Sequence, residues 1–231
     1  MLEKEKNNET NKNNIKNGNL ENIDYSKICP SIFASNFLNL ERNLIYARDK
    51  GVKIIHIDIM DGHFVPNISF GPKVSKDIIS FGYFLFDSHL MVENPEDFIE
   101  LFAEIGSTYI TIHFEIDKDI KTLLKKIKTL NCKAGISLKP KTSFSNFINE
   151  AINKDYLNLI DLILIMSVEP GFSGQKFIID SYEKLKEANN YRKKNNLNYI
   201  IQVDGGVNFD NFQNLLNFGA DLLVMGSNFF K

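Results

Sequence analysis

From residue 26 onward, two kinds of apolar pattern alternate along the chain. Short runs rich in Ile, Val, Leu and Phe are typical of buried β-strands, and longer stretches with an apolar residue every three or four positions are typical of amphipathic helices. The predicted strands cover residues 27–33, 53–62, 84–91, 109–114, 133–138, 160–166, 199–203 and 221–225. The predicted helices cover residues 40–50, 73–80, 95–105, 120–130, 144–156, 180–194 and 209–218.

Eight strands in alternation with seven helices predict an α/β fold, the (β/α)8 TIM barrel. A glycine joins a helix to the next strand at Gly51, Gly106 and Gly219, as expected of a repeated β/α unit. The alternative is an open, doubly wound sheet, but the glycine-rich dinucleotide fingerprint expected after its first strand is missing. We therefore predict one barrel domain over residues 25–231.

Residues 1–24 differ in composition from the rest of the chain. Lys, Glu and Asn dominate there, with few apolar side chains to offset the entropy lost on ordering. We predict a disordered extension.

Charge and composition restrict the classes of partner. The formal net charge of −2 disfavours a nucleic-acid binder. No apolar run approaches the roughly 20 residues of a membrane helix, and the N-terminus resembles neither a signal nor a transit peptide. Cys29 and Cys132 lie in apolar stretches, as buried free thiols do. We expect a cytoplasmic protein with no nucleic-acid or membrane partner.

Polar side chains interrupt the second predicted strand. His56 and Asp58 are two residues apart and therefore leave the same face of the strand. Taken alone, they fit a hydrogen-bonded core pair as well as metal ligation or proton transfer. His89 and Asp204 stand at the ends of two other strands, where a barrel builds its site. Two nitrogens and two carboxylates together favour one divalent transition metal: zinc, iron(II), manganese or cobalt.

Glycine-rich turns follow the last three strands. They are Gly171-Phe172-Ser173-Gly174, Gly205-Gly206 and Gly226-Ser227. One such turn indicates only a tight connection, but three neighbouring turns favour a phosphate site, because glycine lets backbone N–H groups approach an anion. Asp61 and His63, in the loop after the second strand, are expected to be solvated, and His113 to shape the pocket wall.

Five segments resemble the ribulose-phosphate 3-epimerase family, over the chain from about residue 27 to its end. They are Pro30-Ser31-Ile32, the twelve residues 56–67 (HIDIMDGHFVPN), His89-Leu90-Met91-Val92, residues 168–175 (VEPGFSGQ) and Val203-Asp204-Gly205-Gly206. The resemblance implies a metal-dependent barrel enzyme. It would interconvert D-ribulose 5-phosphate and D-xylulose 5-phosphate in the pentose phosphate pathway, as a homo-oligomer.

The resemblance also implies roles for residues at matching positions. Asp58 and Asp204 match the acid/base pair. The metal ligands would be His56, Asp58, His89 and Asp204. The substrate contacts would be Ser31, His89, Gly171, Phe172, Ser173, Gly174, Asp204, Gly205, Gly206, Gly226 and Ser227. Met60, Met91 and Met166 match methionines that line the pocket, although core packing also explains them.

Two features depart from the family pattern. Ser173 replaces the third residue of a Gly-Phe-Gly-Gly turn, which would strain the backbone if that position required a positive φ. The sequence stops at Lys231, whereas family members continue into an eighth helix. We expect that helix to be largely missing, leaving apolar flanks of the first and seventh helices in water unless a partner subunit covers them.

Two other functions remain open at the sequence level. An epimerase for a six-carbon ketose phosphate, such as allulose 6-phosphate, would carry nearly the same motifs. A non-catalytic sugar-phosphate-binding barrel would keep the glycine-rich turns. Phosphate-binding barrels that decarboxylate nucleotides or form carbon–carbon bonds are disfavoured, because they typically use a strand-end lysine and the second strand has none in its polar cluster.

Overall fold

The computed structural model describes residues 23–230. The predicted extension lies outside this range except for Ile23 and Asp24. Ile23 packs, partly buried, against the core. The Asp24 carboxylate accepts a hydrogen bond from the Ser26 amide and caps the short 3-10 turn Tyr25–Lys27.

Eight parallel strands form the barrel wall. They are β1 (Ile28–Pro30), β2 (Ile54–Met60), β3 (Leu85–Met91), β4 (Tyr109–His113), β5 (Lys133–Leu138), β6 (Leu162–Met166), β7 (Ile200–Asp204) and β8 (Leu222–Met225). From β2 to β8 each strand pairs with the next in sequence, and β8 pairs with β1. The described residues of β1 and β2 form no ladder, and a parallel bridge from Ser31 to His56 closes the barrel between them. The predicted (β/α)8 barrel is confirmed.

In the described part of the chain, seven α-helices follow strands on the outside of the barrel. They are α1 (Leu40–Asp49), α2 (Pro72–Ile79), α3 (Ile99–Glu104), α4 (Ile120–Thr129), α5 (Phe144–Asn153), α6 (Ser181–Lys194) and α7 (Phe212–Phe218). Within residues 23–230, none is long and apolar enough to cross a membrane.

Alternation along β2 separates the outer core from the barrel interior. Ile55, Ile57 and Ile59 belong to the large apolar core between sheet and helices. Ile54 points the other way and packs with the interior residues Cys29 and Leu222 and their neighbours. Because side chains alternate along a strand, His56 and Asp58 share the face of Ile54 and point into the barrel.

Two predicted boundaries move for identifiable reasons. The first strand, predicted over 27–33, ends at Pro30, because the amides of Ala34 and Ser35 donate to the carbonyls of Ser31 and Ile32 and turn the chain into a 3-10 helix (Ile32–Ala34). The last helix, predicted from 209, begins at Phe212. The Asn208 side chain accepts hydrogen bonds from the amides of Asp210 and Asn211 and holds this segment in a turn.

The described segment after β8 forms a turn at residues 227–229 and no helix. Phe229 is buried there, with its ring edge-on to Tyr25 and Tyr46. This contact covers part of the flank of α1 that we expected to face water, although Tyr46 itself remains 40% exposed.

Candidate metal centre and active site

Two imidazoles and two carboxylates meet at the mouth of the barrel. One ligand atom from each of His56, Asp58, His89 and Asp204 lies within 4.8 Å of the others. Asp58 Oδ1 is 3.3 Å from His56 Nε2 and 3.5 Å from His89 Nδ1. Asp204 Oδ2 is 3.9 Å from both nitrogens. The four predicted metal ligands, from β2, β3 and β7, are thus brought together.

The donor atoms of this cluster fit a cation. His56 Nε2 and His89 Nδ1 are buried and have no hydrogen-bond partner in the structure, although leaving such atoms unpaired is costly. Each faces two carboxylate oxygens, so four lone-pair donors surround one point. The cluster could hold a metal ion, and its mixture of nitrogen and oxygen donors suits a transition metal.

Asp87 fixes the orientation of His56. Its Oδ2 lies 2.8 Å from His56 Nδ1, and its Oδ1 accepts a hydrogen bond from the Thr111 hydroxyl. A carboxylate at Nδ1 keeps the proton on that nitrogen and leaves the Nε2 lone pair facing the cluster. Asp87 pairs directly with His56 in the β2–β3 register and lies two residues before His89.

A second buried chain stands behind His89. His89 Nε2 lies 2.9 Å from His113 Nε2, and His113 Nδ1 lies 3.0 Å from Glu115 Oε2. The two rings are stacked with their centroids 4.9 Å apart. His113 was expected to shape the pocket wall, but it is not among the residues that line the cavity and instead occupies the side of His89 that faces away from the cluster.

Charge and burial shift the pKa values of the cluster in opposite directions. Burial opposes the charge of Asp58, but the nearby imidazoles of His56 and His89 outweigh burial and hold the pKa of Asp58 far below its usual range. Burial and the neighbouring Asp58 charge raise the pKa of Asp204 to about 6. Burial also disfavours charge on His56, yet Asp58 and Asp87 raise its pKa well above the ordinary value. A cation bound by these groups would lower the pKa of both carboxyls.

A cavity of about 390 Å³ opens above the cluster and between the glycine-rich turns. It brings together all the predicted substrate and pocket residues except His89, which is fully buried and does not line the cavity. Those at its wall are Ser31, Asp58, Met60, Met91, Met166, Gly171, Phe172, Ser173, Gly174, Asp204, Gly205, Gly206, Gly226 and Ser227. The Ser31 hydroxyl donates a 2.5 Å hydrogen bond to Asp58 Oδ2, which ties the end of β1 to the cluster.

The turn after β7 packs closely on the loop that follows the glycine-rich turn after β6. Gly206 has a φ of +62°, and a Cβ at that position would lie 2.4 Å from the backbone nitrogen of Phe177. Only glycine allows this contact. Ser173 is not among the described non-glycine residues with positive φ, so serine causes no backbone strain in the turn.

The loop after β2 contacts the turn after β6. The Asn67 side-chain amide donates a 2.7 Å hydrogen bond to the Gly171 carbonyl. The Asp61 carboxylate accepts hydrogen bonds from the amides of His63, Phe64 and Glu93. Asp61, expected to be solvated, is partly exposed and also holds the loop together, whereas His63 is exposed.

Two residues behind the ligands, Asp87 and Glu115, were not predicted from the sequence. Asp87 could have been found from its spacing, since it shares the inward face of β3 with His89. Glu115 gave no comparable signal, because it follows β4 in a loop whose path the pattern does not specify. Asn67 lies within a recognised motif, but its partner is more than 100 residues away.

Comparisons with known proteins find similar sequences over most of the chain. The profile described as the ribulose-phosphate 3 epimerase family matches residues 27–230. Ribulose-phosphate 3-epimerase of Treponema pallidum is 38% identical over 204 residues, covering 88% of this chain and 91% of the relative. The enzyme of the same name from Aquifex aeolicus is 39% identical over 203 residues, covering 88% and 89%.

Solved structures at low identity match in fold alone. A mutant tryptophan synthase alpha-subunit from Pyrococcus furiosus aligns with a TM-score of 0.64 at 13% identity, covering 88% of each chain. Phosphoribosyl anthranilate isomerase from Thermus thermophilus aligns with a TM-score of 0.62 at 13% identity, covering 87% of this chain and 88% of that one. Given the profile match and the relatives above, the chain belongs to the ribulose-phosphate 3-epimerase family.

Proposed function

We propose that this protein interconverts D-ribulose 5-phosphate and D-xylulose 5-phosphate by moving a proton at C3 between two carboxyl groups. The observation that carries the proposal is the pair Asp58 and Asp204, which border one cavity from β2 and β7. Around the barrel these strands are separated by β1 and β8 on one side and by four strands on the other. The two acids therefore approach the cavity from different parts of the wall.

Two acids on different sides suit inversion at a carbon beside a carbonyl. One carboxylate removes the C3 proton from one face, and the other, protonated, returns a proton to the opposite face. The raised pKa of Asp204, about 6, and the low pKa of Asp58 make Asp204 the carboxyl that takes up a proton more readily and Asp58 the one that stays ionised. In the reverse direction the two exchange roles.

The residues of the cluster also provide for the negative charge that develops on the sugar oxygens. A divalent cation held by the four ligands would act as a Lewis acid and stabilise that charge. We propose zinc, iron(II), manganese or cobalt, since nitrogen donors disfavour calcium and magnesium. Met60, Met91 and Met166 add apolar surface to the cavity, which excludes water without adding charge.

The glycine-rich turns supply the other end of the substrate site. Gly171 to Gly174, Gly205-Gly206 and Gly226-Ser227 line the side of the cavity formed after β6, β7 and β8. Backbone N–H groups in such turns bind phosphate, and the last strands of this fold commonly carry that site. A phosphate held there would place the sugar carbons over Asp58 and Asp204.

A coupled assay tests the proposal. The purified chain is stripped of metal with a chelator and then offered ribulose 5-phosphate with each of the four cations in turn. We expect turnover to be lost on stripping and restored by at least one cation. A stripped sample given magnesium is the control and should stay inactive.

If no cation restores turnover, the proposal is overturned. If the protein then binds ribulose 5-phosphate without converting it, the protein is a non-catalytic sugar-phosphate receptor. The same preparation should be offered allulose 6-phosphate. A kcat/KM for that six-carbon substrate above the value for ribulose 5-phosphate would reassign the substrate while leaving the two-carboxyl chemistry in place.

A further inference from the structure

We propose that His113 and Glu115 act as positioning residues that hold His89 in the one tautomer able to bind a cation. The inference rests on the metal-dependent function proposed above and concerns residues outside the ligand set. The structure places them in a single buried line from Glu115 through His113 to His89, behind the cluster.

The proton positions along this line follow from the groups at its two ends, the metal-ligand cluster and Glu115. His89 Nδ1 faces the carboxylates of Asp58 and Asp204, and a nitrogen that binds a cation must keep its lone pair. A neutral His89 then carries its proton on Nε2 and donates it to His113 Nε2. His113 in turn carries its proton on Nδ1 and donates it to Glu115 Oε2, which as a carboxylate oxygen only accepts.

The far end of the line is fixed by the loop after β5. Glu115 Oε1 accepts hydrogen bonds from the Lys139 amide, at 2.7 Å, and from the Thr142 hydroxyl. The carboxylate therefore cannot turn away from His113 without losing both. Glu115 sets the direction of the hydrogen bonds along the line, because its carboxylate can only accept, whereas each imidazole could donate from either nitrogen.

This geometry predicts that Glu115→Gln reverses the hydrogen bonds along the line. The glutamine oxygen must take the place of Oε1, since an NH2 group there would meet two donors, the Lys139 amide and the Thr142 hydroxyl. The NH2 group then faces His113 Nδ1 and donates to it. His113 must move its proton to Nε2, and His89 must accept there and carry its own proton on Nδ1, the atom that faces the cluster.

Nitrogen-15 NMR of the histidine rings reads the tautomers directly. In the metal-free wild type we expect His89 protonated at Nε2 and His113 at Nδ1. In Glu115→Gln we expect both protons to move to the other nitrogen. A wild-type His89 protonated at Nδ1, or unchanged tautomers in the variant, would overturn the proposal.

Metal affinity provides the second readout, measured by titrating the stripped protein with Co²⁺ alone and by competition with Zn²⁺. We expect Glu115→Gln to weaken binding by roughly 10- to 100-fold, the usual effect of losing the hydrogen-bond partner of a ligand. Thr142→Val is the matched control, because it removes a contact to the same carboxylate but leaves its charge. Equal affinities in the two variants would contradict the proposal.

Two substitutions of His113 distinguish its hydrogen bonds to His89 and Glu115 from its packing in the core. Glutamine at this position can donate to Glu115 and accept from His89, so His113→Gln should keep an affinity close to that of wild type. His113→Leu breaks the line, and adding Glu115→Gln to it should cause no further loss. A further loss of the same size would show that Glu115 acts by another route.

The experiments distinguish failure of this proposal from failure of the proposed function. If the wild type binds neither cation, the metal-dependent function fails, while the tautomers seen by NMR still confirm the relay. Thermal melting of each variant, followed by circular dichroism, establishes that the protein compared is folded.

Discussion

The two carboxyls at the mouth of the barrel differ in environment although they share neighbours. Asp58 lies nearer to the imidazoles of His56 and His89, at 3.3 and 3.5 Å, while Asp204 lies 3.9 Å from each. Shorter distances to positive charge favour ionisation, whereas burial beside another anion disfavours it. The difference in pKa between the two acids therefore follows from the closer imidazoles around Asp58 and from the burial of Asp204 beside the Asp58 charge.

Replacing either acid should abolish turnover without unfolding the protein. Asp58→Asn and Asp204→Asn each remove a group that accepts or donates a proton, and such groups contribute roughly 10²- to 10⁴-fold to rate. We expect kcat losses of that order in a coupled assay, with melting temperatures near that of wild type. Asp210→Asn, at an exposed carboxylate outside the cavity, is the control. Near-normal turnover in either active-site variant would refute the two-acid assignment.

Lys184 gives a prediction for stability against pH. Its Nζ donates to the carbonyls of Lys139 and Pro140, and burial lowers its pKa to about 8 from the ordinary 10.5. Between these values the unfolded chain binds more protons than the folded one, so stability contributed by this residue rises with pH.

Urea unfolding of the wild type and of Lys184→Met tests whether the stability contributed by Lys184 rises with pH. Relative to the variant, the wild type should gain free energy of unfolding as pH rises from about 8 to 10.5. Lys186→Met, on the same helix but exposed, should show no such trend. A constant difference between wild type and Lys184→Met across this range would contradict the expectation.

Single side chains were predictable where position on a strand determined their direction. His56, Asp58, His89 and Asp204 all follow from alternation and from the rule that a barrel builds its site at one end. Asp87 and Glu115 act through hydrogen bonds whose partners depend on strand register and side-chain rotamer. The hydrophobic pattern contains neither register nor rotamer, so the partners of these residues were identified only from the structure, although alternation along β3 already places Asp87 on the inward face.

Among the elements, the loops carry more of the site than the helices do. The turn after β6 contacts the loop after β2 through Asn67 and the turn after β7 through Gly206. Helix and strand existence followed from periodicity, while loop-to-loop contacts did not. The boundaries that moved, at Pro30 and Asn208, were set by local hydrogen bonding, which apolar spacing does not report.

Gly206→Ala should separate these turns. A methyl group 2.4 Å from the Phe177 nitrogen forces the two loops apart, and a φ of +62° adds strain. We expect a loss of about 1–3 kcal/mol in the free energy of unfolding and a raised KM for the sugar phosphate. Urea unfolding and steady-state kinetics measure both.

Gly71→Ala is the matched control, because a Cβ there would meet no atom within 4 Å and its φ is negative. That variant should stay within about 0.5 kcal/mol of wild type. If Gly206→Ala behaves like Gly71→Ala, the close packing of the turns has no energetic importance.

At the scale of the whole molecule, apolar side chains are exposed beside the site. Leu38 and Ile68 are 93% and 72% exposed, on the loops that follow β1 and β2. Phe37 and Phe70 join these loops through an edge-on ring contact at 5.5 Å. Exposed apolar groups on adjoining loops are typical of a surface that another chain covers.

We predict a homo-oligomer that uses these loops. Leu38→Asp should shift the protein towards monomer in analytical ultracentrifugation, because a carboxylate would have to be buried against apolar surface. Ile152→Asp, at an exposed position on α5, should leave the distribution unchanged. A wild type that sediments as a monomer at all concentrations would contradict this prediction.

The closure of the barrel lies beside its chemistry. Between β1 and β2 the wall is joined by the Ser31–His56 bridge, and the Ser31 hydroxyl spans the same gap to Asp58. Anything that binds Asp58 and Ser31 together therefore also fastens the two edges of the sheet. Binding of substrate and cation should therefore stabilise the contact between β1 and β2. Hydrogen exchange of the backbone amides in both strands should slow when they bind, although this is the part of the barrel wall with the fewest backbone hydrogen bonds in the free protein.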